Sequence, residues 1–272
     1  MSKHILLVHD LAGYGKVSLS AMMPVLSHMG HHLYTLPTAL VSNTLDYGKF
    51  YIQETTEYMR QSLKVWAELG FSFDVVSTGM VLSAEQAALV SDFCEQSAKK
   101  GALVFVDPIM GDEGKLYNGV GEETIAHMRK MVAVADCIVP NYTEAAYLAD
   151  MPYHEDMTEE EARALTIRLH AMGAKSVVVT SAKVDGENCV VGYDGTEGEF
   201  FRIPFDLIPV RFVGTGDIFA AVMLGRLVDG VPLQESTHRA MDAVRTMIDR
   251  NRDKEDKYLG IPIETCLEVL DE

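Results

Sequence analysis

The stretch Ile5–Met29, ILLVHDLAGYGKVSLSAMMPVLSHM, begins with the four-residue apolar run Ile5–Val8 and passes through Asp10-Leu11-Ala12-Gly13-Tyr14-Gly15 into Ser18–Met29, which reads as a helix. A strand, a glycine loop and a helix in that order form the repeating unit of a parallel sheet. The order returns downstream. Asp74–Ser77 reads as a strand before the helical Ser83–Lys99, and Ala102–Val106 precedes a long glycine-containing loop and a helix from about Glu122. Cys137–Val139 is a short strand that stops at Pro140, with Asn141 placed to cap a helix running through Glu144 to Ala149. Thr158-Glu159-Glu160-Glu161 opens a further helix with Thr158 as cap and Glu161 three residues on, and that helix feeds the strand Ser176–Thr180. After Thr180 the rhythm changes. Asn188–Tyr193 and Gly198–Pro204, around Asp194-Gly195-Thr196, predict an antiparallel hairpin at a sheet edge. Asp217–Asp229 and Leu233–Arg250 carry apolar residues at helical spacing, and Asn251–Lys257 reads as a charged, solvated loop. The expected fold is a three-layer α/β/α domain with a mainly parallel central sheet. With no internal repeat or Pro/Ser-rich linker, residues 1–272 are expected to form a single domain.

Acidic residues outnumber basic ones 40 to 23, for a net charge of -17, and no block of Lys and Arg exceeds a pair. That balance excludes nucleic acid and anionic membrane as expected partners. If the ligand is a phosphate compound, metal ions, helix N-termini and a few local cations must meet its charge. The four cysteines, Cys94, Cys137, Cys189 and Cys266, are far apart and read as buried reduced thiols. No leader pattern precedes the first strand, and no apolar run approaches the roughly 20 residues of a membrane helix, so a cytoplasmic protein is expected. His28, His31 and His32 have no carboxylate or cysteine to complete a metal set and read as solvated surface, while Met22, Met23 and Met29 read as packing.

Gly214-Thr215-Gly216-Asp217 lies where the apolar Phe212-Val213 gives way to the helical Ile218-Phe219-Ala220-Ala221. Unpaired N–H groups at a helix start, unshielded at the two glycines, can surround a phosphoryl group in transfer. Asp217, in the first turn, can align a hydroxyl and take its proton late in the reaction. By itself the motif also suits a tight turn and a helix cap. Asp107-Pro108-Ile109-Met110-Gly111-Asp112 directly follows a strand, where two carboxylates can hold Mg²⁺ largely through water or satisfy a turn. In Pro140-Asn141-Tyr142-Thr143-Glu144, Asn141 can meet a phosphate and Glu144 can face the metal, although ordinary capping explains both. Thr180-Ser181 offers hydroxyls at another strand end. Four such elements, each at the carboxyl end of an expected strand, assemble the components of phosphoryl transfer.

These motifs, with Tyr14-Gly15, Ser42-Asn43 and Tyr47-Gly48, resemble those of the pyridoxal kinase family of the ribokinase-like superfamily, over nearly the whole chain. The resemblance implies ATP-dependent phosphorylation of the 5′-hydroxymethyl group of pyridoxal, pyridoxine or pyridoxamine, with Mg²⁺, a monovalent cation (K⁺ or Na⁺) and a homodimer. It implies Asp217 as base, with Gly214, Thr215 and Gly216 around the transferred group. It implies Asp107, Asp112, Tyr117, Asn141, Glu144, Thr180 and Ser181 for ATP, with Asp107 and Glu144 serving the metal through water. The loop Gly111–Val120 is expected to close over the nucleotide.

Substrate-side positions depart from the family pattern. Asp10 stands where a serine is usual, Thr44 replaces the histidine of the S-N-H stretch, and Met80 replaces a tyrosine. Asp10, Val17, Thr44 and Met80 are the expected substrate-binding residues, and Tyr14 can line the same cavity. An aspartate after the first strand also resembles hydroxymethylpyrimidine kinases, which keeps that activity open. A vitamer-binding protein without turnover is a third reading, disfavoured because a pure binder has no need for a base aimed at a hydroxyl.

Overall fold

A computed structural model describes residues 2–117 and 121–271. The chain forms two compact units, one of Met1–Val75 with Ile208–Glu272 and the other of Val76–Leu207.

The first unit begins with β1 (His4–Val8), β2 (Leu11–Ala12) and α1 (Leu19–His28), followed by β3 (His32–Thr35), β4 (Ala39–Val41), β5 (Ile52–Glu54) and α2 (Thr56–Leu69). Ile5, Leu6, Leu7 and Val8 are all buried, as a strand covered on both faces requires, and β1 pairs in parallel with β3. β2, β4 and β5 make a separate three-stranded sheet. His31 departs from the expected solvated histidine cluster. It is 6% exposed, and burial lowers its pKa. His28 pairs with Asp271 on the surface, and His32 lies beside His4 with tilted rings whose centroids are 5.1 Å apart.

The second unit holds β6 (Val75–Thr78), α3 (Ala84–Lys99), β7 (Leu103–Val106), the hairpin β8 (Gly111–Asp112) and β9 (Lys115–Leu116), and α4 (Glu122–Val132). It continues with β10 (Cys137–Ile138), α5 (Tyr142–Ala149), α6 (Glu159–Ala171), β11 (Ser176–Val184), β12 (Glu187–Asp194) and β13 (Glu199–Pro204). Its strands lie in the order β13-β12-β11-β10-β7-β6. β7, β10 and β11 are parallel, while β12 and β13 form the expected antiparallel edge. Both expected capping boxes are complete, at Asn141 with Glu144 and at Thr158 with Glu161. One strand differs from expectation. β11 does not stop at Thr180 but runs to Val184 through a register shift between Val179 and Ala182, with Ser181 at a φ of 55°.

The chain then returns to the first unit with α7 (Thr215–Val228) and α8 (Leu233–Asn251). Residues Ile218 to Gly225 are buried without interruption, so α7 is a core helix rather than an amphipathic one. Gly225 admits Met29 against α7, since a Cβ there would stand 2.4 Å from the methionine sulfur. All four cysteines are free and buried. Among the described residues, no helix is long and apolar enough to cross a membrane.

Candidate active site

In the first unit, β1 delivers Asp10 just beyond its carboxyl end, where the residue is only 6% exposed. Burial raises the Asp10 pKa, with partial relief from the Ser18 hydroxyl and its own backbone N–H. Ser18, the residue before α1, adopts a φ of 51° with a ψ of -128°, a positive-φ conformation unfavourable for serine. Its N–H relieves Asp217, whose pKa burial and the nearby Asp10 charge together lift to about 7. The Asp217 residue keeps some solvent contact while its carboxylate is enclosed.

Asp217 sits in the first turn of α7, preceded by Gly214 at a φ of 79°. The glycine loop rests directly on the 16–17 backbone. A Cβ on Gly214 would stand 2.0 Å from the Lys16 carbonyl oxygen and 3.4 Å from the Val17 Cα. The first N–H groups of a helix have no acceptor within it, and over Gly216 there is open space, with no atom within 4 Å of where a Cβ would be. Thr215 turns its hydroxyl back to the Phe212 carbonyl at 3.4 Å. The first unit therefore brings together Asp10, Val17, Gly214, Thr215, Gly216 and Asp217. Thr44, also here, is buried and donates its hydroxyl to the Tyr258 carbonyl at 2.6 Å.

The second unit carries the other expected site residues. Glu144 is 3% exposed, and its two carboxylate oxygens accept from Met110 N–H at 2.9 Å and Asn141 N–H at 2.8 Å. Burial raises its pKa, the backbone donors oppose the rise, and Asp112 adds to it. Asn141 accepts from the Glu144 N–H at 3.0 Å and donates from its amide to the Gly111 carbonyl at 2.8 Å. Thr143 accepts the Gly114 N–H at 2.8 Å. The start of α5 thus holds the first strand and the turn of the β8–β9 hairpin that bears Asp112, with the exposed Tyr117 just beyond it. Residues 118–120 of the expected closing loop lie outside the described residues. Asp107 follows β7 with its N–H on the Thr78 carbonyl, Met80 lies just after β6, and Thr180 pairs with Asn141 beside the Ser181 kink.

No group of three His, Cys, Asp or Glu among the described residues could hold a metal directly. With both Glu144 oxygens occupied by backbone donors, the acidic residues suit a hydrated Mg²⁺ that keeps most of its water. They do not suit an all-protein cage. Glu144→Ala would leave two backbone N–H groups without their acceptor in a buried place. We expect urea unfolding to show a loss of about 2–3 kcal/mol. A loss well under 1 kcal/mol would mean that water replaces the carboxylate without penalty.

Sequence reasoning missed Ser18 and Thr143. Nothing local marks a serine for positive φ, and Thr143 is visible only as the third residue of a capping motif.

A family described as phosphomethylpyrimidine kinase matches residues 19–260. A Bacteroides thetaiotaomicron protein provisionally assigned as a phosphomethylpyrimidine kinase, solved with pyridoxal, is 34% identical. It superposes with a TM-score of 0.94, covering 100% of this chain and 96% of that one. The pyridoxal kinase of Arabidopsis thaliana is 33% identical over 60% of this chain and 53% of its own length, so the match spans about half of that relative. The pyridoxal kinase of Leishmania donovani, solved with ADP and pyridoxamine, shares the fold at a TM-score of 0.82 and 22% identity, covering 99% of this chain and 96% of that one.

Proposed function

Because the chain belongs to the pyridoxal kinase and phosphomethylpyrimidine kinase family of ribokinase-like proteins, we propose that it transfers the γ-phosphoryl group of ATP to the 5′-hydroxymethyl group of a B6 vitamer. The observation that carries this reading is Asp217. It is a carboxylate whose proton affinity is raised to about 7, placed in the first turn of α7 beside Gly216, where no atom lies within 4 Å of a Cβ position. A base with that affinity is half ionised at neutral pH and takes up a hydroxyl proton more readily than an ordinary aspartate.

The reaction follows from these groups. Asp217 aligns the hydroxymethyl O–H and accepts its proton as the oxygen bonds to the γ-phosphorus. The bond from that phosphorus to the bridging oxygen breaks, and ADP departs with the electron pair. The N–H groups at Gly214, Thr215 and Gly216 stabilise charge on the transferring oxygens, aided by the positive end of α7. Asp107, Asp112, Tyr117, Asn141, Glu144, Thr180 and Ser181 serve the nucleotide. Asn141 and Glu144 do so by fixing the hairpin that carries Asp112, a role supported by their hydrogen bonds. Mg²⁺, bound through water near Asp107 and Glu144, would neutralise the phosphates, and a monovalent cation belongs to the same reading. Asp10, Val17, Thr44 and Met80 belong to the acceptor side. Asp10 supplies an acceptor for a protonated ring nitrogen or an aminomethyl group. We place the reaction in the cytoplasm, in a homodimer of a single-domain chain of residues 1–272.

A second reading, hydroxymethylpyrimidine kinase, is favoured by Asp10 and by the family's description. ADP release with pyridoxal, pyridoxine, pyridoxamine and hydroxymethylpyrimidine in parallel separates the two. Turnover with a vitamer supports the first reading, and turnover confined to the pyrimidine overturns it. Binding of a vitamer without ADP release from any acceptor would indicate a carrier.

A further inference from the structure

The charged segment after α8 is exposed, yet it is not simply a solvated loop. Asp256 Oδ2 accepts the Tyr47 phenol at 2.5 Å, and its Oδ1 accepts the N–H groups of Tyr258 at 3.1 Å and Leu259 at 3.2 Å. One carboxylate therefore closes the turn at 256–259 and ties it to the loop that follows Thr44. The carbonyls of that turn are used in the same neighbourhood. Tyr258 accepts from the Thr44 hydroxyl, and Leu259 accepts the Lys16 N–H at 2.8 Å. Lys16 is the residue whose carbonyl supports Gly214, and its ammonium is paired with Glu264. Lys257 places its ammonium 5.5 Å from the centroid of Phe212, two residues before Gly214.

The rings around this turn are exposed. Tyr14, Tyr47 and Tyr258 are 55%, 36% and 50% exposed, and Tyr47 lies between the others at centroid distances of 6.0 and 5.7 Å. Exposed ion pairs and hydrogen bonds contribute little to folding, so stability does not account for a carboxylate with three donors here. A row of accessible aromatic rings, locked in place and continuous with the backbone under the glycine loop, suits a flat heteroaromatic ligand. The hydrogen bond to Asp256 raises the Tyr47 pKa to about 12, so the phenol remains a donor throughout the working range.

Resting on the kinase reading above, we propose that Asp256 and Tyr47 are positioning residues for the acceptor. Their bond fixes the tyrosine row and the 256–259 turn against Thr44 and Lys16, and so orients a heteroaromatic ring for transfer.

The test uses the full chain and four variants: Tyr47→Phe, Asp256→Ala, Asp256→Asn and the double variant Tyr47→Phe/Asp256→Ala. KM for the vitamer should rise roughly tenfold in Asp256→Ala and roughly fivefold in Tyr47→Phe, with kcat and the KM for ATP within about twofold. The double variant should match Asp256→Ala, because Asp256→Ala already breaks the bond that Tyr47→Phe removes. Asp256→Asn, which keeps an oxygen for the two amides, should recover most of the loss. The proposal is overturned if the vitamer KM is unchanged, if kcat or the ATP KM moves as far as the vitamer KM, or if the two effects add. Hydrogen exchange at the Tyr258 and Leu259 amides judges the latch independently of turnover. Faster exchange in both single variants supports it, and unchanged exchange overturns it. A wild-type chain that turns over no acceptor sinks the kinase reading itself, and the exchange result then reports on the latch alone.

Discussion

Asp217→Asn is expected to lower turnover by roughly a thousandfold or more while leaving the fold and nucleotide affinity intact. The amide keeps the shape of the side chain but cannot accept the hydroxyl proton. In the wild type, kcat/KM for the vitamer should rise through about pH 7, following ionisation of Asp217. The residual activity of the variant should lack that limb. Stability should move the other way. The folded-state pKa of about 7 lies above the ordinary 3.8, so the folded chain holds a proton that the unfolded chain has released. The contribution of this group is therefore fully present below about pH 4 and is lost as pH rises toward 7. At pH 8 the wild type carries a buried charge that the asparagine variant lacks. Allowing for the solvent contact that the residue keeps, the inactive variant should be more stable there by on the order of 1–3 kcal/mol. Denaturant unfolding at pH 5 and pH 8 measures this, and a gain that does not grow with pH would contradict the burial argument. Because the Asp10 charge raises the Asp217 pKa, Asp10→Asn should shift the activity limb to lower pH.

Gly214→Ala should be nearly as damaging for a different reason. The residue combines a φ of 79° with a Cβ position 2.0 Å from the Lys16 carbonyl oxygen, a backbone atom that no side-chain rotation can move away. Left-handed strain of about 1–2 kcal/mol and overpacking of about 1–3 kcal/mol together predict a loss near 3 kcal/mol. The chain can relieve the clash only by lifting the glycine loop from the 16–17 backbone, which displaces the amides at Thr215 and Gly216 from the phosphoryl group. A displacement of about an ångström is enough to lower turnover roughly a hundredfold. Thermal unfolding together with kcat on the surviving folded fraction checks both parts. Unchanged kcat in a folded variant would mean that these amides do not act on the transferred group.

The layout of strands and helices was legible because its signals are local. Apolar runs marked β1, β6, β7 and β10, and both capping boxes formed from the residues that spell them, Asn141 with Glu144 and Thr158 with Glu161. The segment from His31 to Leu69 was not legible. Its strands have three or four residues, and α2 buries only Met59, so little apolar periodicity is present to read. The Thr180-Ser181 bulge depends on pairing with β12 and with Asn141, and no residue type around Ser18 announces its positive φ. The same limit applies at the site. The glycine motif and the buried carboxylates announced themselves as sequence, whereas Asp256 sits in a run of charges and owes its three donors to tertiary contacts and a tight turn. The Thr44 hydroxyl, expected on the substrate side, donates to the Tyr258 carbonyl, a partner far away in the sequence. Charge pattern alone did not distinguish a solvated loop from one that organises its neighbours.

The most direct test of the central claim is ³¹P NMR of the product formed from ATP, Mg²⁺ and each B6 vitamer. The account predicts a phosphomonoester whose phosphorus couples to the two protons of the former hydroxymethyl group, absent with Asp217→Asn. A folded protein that gives no such ester with any of the three vitamers, or gives one only with hydroxymethylpyrimidine, would contradict it.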